Sequence, residues 1–317
     1  MPGSEWQDRT PREACDNVCS GTAMPELPEV ETVVRGLRGA LPGRRIVSVR
    51  LEKTDFMEDP AAIERELPGR IVESIERRGK FLIVWLAPSD GGNARAGLLV
   101  HLGMTGQLVT QPAAQPAAKH THAFFRLDDG RELRYVDIRR FGQMTVVDEA
   151  ALGKKLGKLG AEPLEVGEED FATRLRSRRA RVKALLLDQR VLRGIGNIYA
   201  DESLWRARIH PARLGSKLTR EDLARLYRAI RQVLQRAIEL RGSSISDYLD
   251  AEGRRGEFQR LHRAYGREGK KCFRCGEKIR RATIAGRSSY YCPRCQSPPR
   301  KTDKRRARPG RPGRKRR

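Results

Sequence analysis

The sequence predicts an α+β multidomain chain: a β-rich N-terminal part led by one helix, a helical second part, and a closing zinc ribbon. Three observations predict it. Seven short strand-like segments fall between residues 45 and 147, helical periodicity takes over from Leu152, and four cysteines are spaced Cys272-x2-Cys275-x16-Cys292-x2-Cys295 near the end. A chain of 317 residues with 38% apolar content has room for two domains and buried cores.

The leading helix is read over residues 29–41, where Val30, Val33, Leu37 and Leu41 share one face. Pro28 suits its first turn, Glu29 and Glu31 complement the helix dipole, and Pro42-Gly43 stops it. Residues 1–23 show no periodicity and are expected to be a disordered leader. Strands are read at 45–51, 71–76, 80–86, 97–102, 123–127, 132–136 and 143–147, which fits a sandwich or a barrel. Asp129-Gly130 marks a hairpin between two of them, and 111–119 is read as a loop.

Helices follow at 171–188, 198–207 and 219–240, the last with Leu223, Leu226, Ile230, Leu234 and Ile238 in one apolar stripe. Residues 242–269 are polar and weakly periodic, a long loop of the kind that often carries function. The domain plan is therefore 24–150, 151–268 with that loop, a ribbon at 269–298, and a disordered basic tail at 299–317.

The four clustered cysteines read as thiolate ligands of one structural Zn2+, while Cys15 and Cys19 lie in the polar leader and have no expected role. The net charge of +25 points to a polyanionic partner, with nucleic acid first. Residues 297–317 carry a net +10, and subtracting it leaves +15, so the body is basic without its tail. No run approaches the ~18 apolar residues of a membrane span, and the leader lacks a secretory apolar core, so the chain is expected to be cytoplasmic.

Several turns could carry chemistry. In Arg193-Gly194-Ile195-Gly196-Asn197-Ile198-Tyr199, two glycines precede a helix whose amides and Asn197 side chain could meet a phosphate, although the pattern serves equally as a helix–helix turn. Met104 and Phe141 sit in glycine-flanked turns that can project wedges into a base stack or simply pack a core, and Arg139 is a wedge neighbour or a solvated charge. Lys80 follows Gly79 at a strand edge. Arg287, beside Ala285-Gly286 between the cysteine pairs, could fork onto a backbone phosphate from a hairpin turn.

Taken in order, these motifs resemble one family. Met-Pro-Glu-Leu-Pro-Glu-Val-Glu-Thr from Met24, Arg-Arg-Gly-Lys-Phe-Leu from Arg77, His-Leu-Gly-Met-Thr-Gly from His101 and Lys-His-Thr-His from Lys119 occur in sequence. Arg-Arg-Phe-Gly from Arg139, Leu-Gly-Ala-Glu-Pro-Leu from Leu159, Gly-Ile-Gly-Asn-Ile-Tyr-Ala from Gly194 and the zinc ribbon follow. From Met24 to about Gln296 the chain is similar to bacterial formamidopyrimidine-DNA glycosylases.

The resemblance implies an N-terminal β-sandwich with a leading helix, then a helix-two-turn-helix domain and the ribbon. It implies a bifunctional glycosylase/AP lyase of base excision repair, a monomer in the nucleoid-associated cytoplasm that acts on damaged double-stranded DNA. The residue matching Pro25 is the mature N-terminus, whose secondary amine attacks C1′ to give a Schiff base. An internal proline nitrogen is a tertiary amide and cannot do this, so Met24 is the expected start of translation and its removal is expected to free Pro25.

Glu26 matches the general acid/base, Lys80 the lysine of β-elimination and Arg287 the arginine of δ-elimination. Asn197 and Arg287 would grip the flanking phosphates, and His120 and Arg178 would contact DNA. Met104, Arg139 and Phe141 would fill the gap left by the flipped base, and residues 242–256 would form a lid over it. Ile138 stands where relatives usually have proline. The expected substrates are oxidised purines, namely formamidopyrimidines and 8-oxoguanine. Two alternatives are a sister-class enzyme for oxidised pyrimidines and, if Pro25 stays internal, a non-catalytic zinc-ribbon DNA-binding protein.

Overall fold

A computed structural model of the chain describes residues 24–89, 92, 94–245 and 248–298. The expected leader and basic tail lie outside them. Helix α1 (Leu27–Ala40) leads, and strands β1 (Ile46–Leu51), β2 (Ile71–Arg78), β3 (Phe81–Ala87) and β4 (Ala96–His101) follow. Then come β5 (Gln107–Pro112), β6 (Thr121–Leu127), β7 (Arg131–Val136) and β8 (Gln143–Val147), with a short helix α2 (Pro60–Glu66) between β1 and β2. The strands form two four-stranded antiparallel sheets, β1-β6-β7-β5 and β2-β3-β4-β8. The fold is the sandwich rather than the barrel.

Two elements here were not expected. Strand β5 runs into the residues read as a loop and pairs Gln111 with Glu132 and Pro112 with Arg131. It is an edge strand, where a proline without an N–H is tolerated, and Leu108 and Val109 bury its other end. Helix α2 is started by Asp59, whose carboxylate accepts the amide of Ala62, and by Pro60 in its first turn. The expected hairpin joins β6 to β7, with Gly130 at φ 85° in its turn.

Helices α3 (Glu149–Leu156), α4 (Glu168–Arg176), α5 (Val182–Leu187), α6 (Asn197–Ala207) and α7 (Arg220–Glu239) build the second domain. The segment read as one helix over 171–188 is two, α4 and α5, because Ser177–Arg181 is a polar run with no apolar side chain to bury except Ala180. Helix α7 is capped by Thr219 and Asp222, each side chain bonding the other's amide. The ribbon is an antiparallel hairpin, β9 (Arg280–Ile284) and β10 (Arg287–Tyr291), whose turn holds Ala285 and Gly286 at positive φ. Among the described residues no helix is long and apolar enough to cross a membrane.

Helix α1 belongs to both domains. Val30, Val33, Val34 and Leu37 enter the sandwich core, whereas Leu27 joins the helical core beside Ile195, Ile198 and Tyr199. The Leu27 amide also donates to the carbonyl of Gly194 at 2.9 Å. A second link is buried and ionic. Arg77 on β2 bonds Glu31 of α1 at 2.9 Å and Glu162 of the second domain at 3.0 Å, and Arg193 reaches the same Glu162 at 3.1 Å. The start of α1 is thereby fixed at the seam between the two domains.

Candidate active site

Pro25 is buried at that seam, and Glu26 follows it as the residue preceding α1. The Glu26 carboxylate does not face solvent. It accepts the amides of Gly196 at 2.7 Å, Ile198 at 2.9 Å and Tyr199 at 3.4 Å, so it caps the start of α6 from the other domain. This corrects the expectation for the glycine turn: three amides expected to be open to a phosphate hold a carboxylate instead. The reason is also that of the glycine, since a Cβ on Gly196 would lie 2.3 Å from the Glu26 carboxyl carbon. The Asn197 side chain stands beside this cap as the first helical residue rather than the cap itself, its amide oxygen buried.

Burial raises the Glu26 pKa, opposed by the charge of Lys80 and by the three amides. Lys80 lies at the tip of the tight β2–β3 hairpin, in which Arg78 pairs with Phe81. That tip abuts the glycine turn of the second domain, with Gly79 against Arg193. Lys80 also acts on His101, which burial, and secondarily this charge, pushes down to about 4, so the imidazole is neutral at physiological pH.

A second carboxylate lies behind the first. Glu29 accepts the Tyr199 hydroxyl, the Glu26 amide at 2.9 Å and the Ser243 amide at 2.7 Å, and its carbonyl accepts the Tyr248 hydroxyl at 3.1 Å. Burial, then repulsion from Glu26, raises it to about 7. It thus joins α1, α6 and the 242–256 loop.

A buried lysine completes the floor. Lys183 and Asp201 pair at 2.7 Å, both fully buried. Lys183 donates to the carbonyl of Ser288 at 2.8 Å, while Asp201 accepts the amide of Tyr290 at 2.9 Å, so the pair clamps β10 and with it Arg287. Lys183 is depressed by burial, opposed by Asp201 and also influenced by Glu26 and Arg287, which places all four in one electrostatic neighbourhood. Arg287 itself is half-buried on the strand just after the turn. Sequence reasoning missed Lys183, although a lysine inside the apolar run Val182–Leu187 was a usable signal.

On the sandwich side, the buried Asp137 carboxylate organises the turn that carries Arg139 and Phe141. It accepts the Gly142 amide at 3.0 Å, the Tyr135 hydroxyl at 3.1 Å, the Arg139 amide at 3.2 Å and the Thr105 hydroxyl. Ile138 is exposed in this turn. Arg139 stacks on the Phe141 ring, 4.5 Å to its centroid, and that ring is 47% exposed. His120, at φ 69°, accepts the Asp137 amide through its carbonyl at 3.0 Å and so lies beside the same turn. Met104 differs from the other two wedge candidates, being only 2% exposed. Its turn is locked to the Phe141 turn, since a Cβ on Gly103 would meet the Phe141 carbonyl at 2.4 Å. Arg178 is exposed between α4 and α5 and donates to the Arg174 carbonyl.

The sulfurs of Cys272, Cys275, Cys292 and Cys295 all lie within 4.8 Å of one another, with two pairs at 3.4 and 3.5 Å. Zn–S bonds of about 2.3 Å in a tetrahedron need sulfurs roughly 3.8 Å apart, so the set fits one structural Zn2+. Four ligands leave no open position on the metal.

The family model described as formamidopyrimidine-DNA glycosylase N-terminal domain matches residues 24–144, its H2TH domain matches 159–248, and a zinc finger found in FPG and IleRS matches 269–298. The formamidopyrimidine-DNA glycosylase of Pelotomaculum thermopropionicum is 46% identical over 279 residues, covering 86% of this chain and 99% of the relative. That of Solibacter usitatus is 48% identical over 275 residues, with the same coverage. Among solved structures, a Lactococcus lactis Fpg complex with abasic-site DNA superposes with TM-score 0.79 at 36% identity, covering 86% of this chain and all of that one. The wild-type Lactococcus lactis enzyme with DNA containing N7-benzyl-Fapy-dG gives 0.79 at 35%, with the same coverage.

Proposed function

The chain belongs to the formamidopyrimidine-DNA glycosylase family, a DNA glycosylase of base excision repair, and from that premise we propose which residues do its chemistry and on what. The substrate class is oxidised purine in duplex DNA, formamidopyrimidines and 8-oxoguanine, and the protein acts as a monomer on the nucleoid in the cytoplasm. The observation that carries the assignment is the Glu26 carboxylate, buried against the start of α6 and adjacent in the chain to Pro25.

The reacting form is one in which the Pro25 nitrogen is a secondary amine. Its lone pair forms the bond to C1′, the bond from C1′ to the base breaks, and the base leaves with that bond's electron pair and takes up the proton that the Pro25 nitrogen loses, which returns to the nitrogen the lone pair that forms the C=N bond. Opening of the sugar places the pair of the C1′–O4′ bond on O4′, and Glu26 delivers the proton there. Its raised pKa suits that donation. The resulting iminium draws in the electron pair of a C2′–H bond when a base removes that C2′ hydrogen as a proton, and the C3′–O bond then breaks so that the 3′ phosphate leaves with its electron pair. A second elimination expels the 5′ phosphate.

Lys80, beside Glu26, supports the first elimination, and Arg287 the second. Asn197 and Arg287 hold the phosphates on either side of the lesion, and His120 and Arg178 contact the backbone further out. Arg139 and Phe141 present a stacked, exposed wedge for the vacated base position, and Met104 fills it after its turn opens.

Borohydride reduction tests this directly. A protein beginning at Pro25 is expected to be trapped covalently on a duplex containing 8-oxoguanine, whereas Pro25→Gly and Glu26→Gln bind that duplex but are not trapped normally. Trapping on thymine glycol alone would assign the chain to the oxidised-pyrimidine class, and no trapping on either would leave a DNA-binding protein.

A further inference from the structure

At the far end of α6 from Asn197 lies a groove of about 690 Å³ lined by Arg206, Arg225, Arg228, Arg263 and Arg274 and by no carboxylate. Among the described residues only Arg225 of these has an acidic partner, Asp222. The other guanidiniums are held by neutral groups: Arg206 by the Gln232 side chain at 2.8 Å, Arg228 by the Ala224 carbonyl at 3.3 Å and Arg274 by the carbonyls of Trp205 and Arg206 at 2.6 and 2.9 Å. Five like charges set around one concavity repel one another, and only one of them is answered by a carboxylate. Such a cluster costs stability unless an anion answers it.

Aromatic rings are interleaved with these charges. Arg274 lies 3.9 Å over Trp205, and Arg263 and Arg267 each lie 4.3 Å from the centre of the Phe273 ring. Phe273 projects from the zinc knuckle between Cys272 and Arg274 and is 58% exposed, the highest value among the exposed large apolar side chains of the described residues. Stacking fixes the guanidiniums in place and leaves an aromatic edge beside them.

The groove is not part of the active site. Helix α6 has 11 residues, so roughly 16 Å separates its Asn197 end from its Ala207 end at 1.5 Å per residue. The knuckle likewise lies at the opposite end of the ribbon hairpin from the Gly286 turn.

We propose that this arginine and aromatic groove binds single-stranded DNA while the active site holds a duplex. Phosphates suit guanidinium forks, and unpaired bases suit exposed aromatic and guanidinium faces. A duplex would offer phosphates but no unpaired base to lie against the guanidiniums of Arg263 and Arg267 that cover the Phe273 ring. The inference stands apart from the chemistry at Pro25 and survives if that assignment fails.

The test uses the full chain, saturated with a duplex containing the uncleavable tetrahydrofuran abasic analogue, and follows the anisotropy of fluorescein-labelled (dT)12. Binding should persist in the saturated protein. Arg206→Glu with Arg228→Glu should weaken it at least ten-fold, and the milder Gln pair should weaken it less. Phe273→Ala, which leaves the charge unchanged, should weaken it at least three-fold. All should keep one zinc per chain and excise lesions within two-fold of the parent. The proposal is overturned if the duplex displaces (dT)12, if these variants bind it as the parent does, or if a labelled poly-glutamate peptide occupies the groove in preference to it.

Discussion

The Glu26 carboxylate and the Gly196 amide, 170 positions apart in sequence, meet at 2.7 Å, and no side chain can stand between them. Gly196→Ala would place a methyl group 2.3 Å from the Glu26 carboxyl carbon and displace it from beside Pro25. Misplacing a reacting group by about 1 Å costs on the order of 100-fold in rate. Single-turnover excision by Gly196→Ala should fall by about that factor while zinc content is unchanged. A rate within three-fold of the parent would mean that the cap is not what positions the acid.

Glu29 predicts a pH-dependent stability. Its folded pKa is about 7, above the ordinary 4.5, so the folded protein holds its proton more tightly than the unfolded chain. The associated stability is fully present below pH 4.5 and is lost as pH rises through 7, a span worth up to about 3 kcal/mol. Glu29→Gln cannot titrate. The melting temperature of the parent minus that of Glu29→Gln should therefore decline between pH 5 and pH 8, and a flat difference would contradict the buried, raised carboxyl.

The Lys183–Asp201 pair should reveal itself on one-sided removal. Lys183→Met leaves Asp201 buried without its cation and should cost about 3–5 kcal/mol by denaturant unfolding, whereas Lys183→Met with Asp201→Leu should recover part of that loss. Because the pair clamps β10, and with it Arg287, the role proposed for Arg287 predicts that the single variant also lowers the yield of the doubly eliminated product relative to the singly eliminated one. A double variant no more stable than Lys183→Met would show that the loss does not come from leaving Asp201 buried without its cation.

Phe141 and Met104 should separate stability from binding. Phe141→Ala removes an exposed ring and should leave the melting temperature nearly unchanged while weakening binding to a lesion duplex several-fold. Met104→Ala empties a buried site and should cost about 2–5 kcal/mol of stability. The reverse pattern would exchange their roles.

What could be read in the sequence was what is local. The cysteine pairs and the stripe of α7 announce themselves within a few turns of chain, because the ligand spacing and the 3.6-residue period are short-range properties, whereas Pro25 and Glu26 stand out only through the family resemblance. Strand β5 was hidden by Pro112, whose penalty disappears only on an edge that the whole sheet defines. The α4–α5 break was hidden by apolar residues on both sides of it. In the site, Glu26 was legible as a residue but not as the cap of α6, nor was Lys183 as the partner of Asp201, because those contacts exist only after two domains dock. The glycines at 194 and 196 suggested a phosphate cradle, yet their space is filled by Leu27 and Glu26.

Helix α1, shared between the two cores, has a consequence for biosynthesis. A ribosome releases the segment carrying Pro25 and Glu26 first, but the amides that cap Glu26 belong to residues 196–199. Until those emerge, Glu26 lacks the amides that hold its carboxylate in place beside Pro25. On the roles proposed for Pro25 and Glu26, competence to cut the genome is thus withheld from every translation product that stops short of α6.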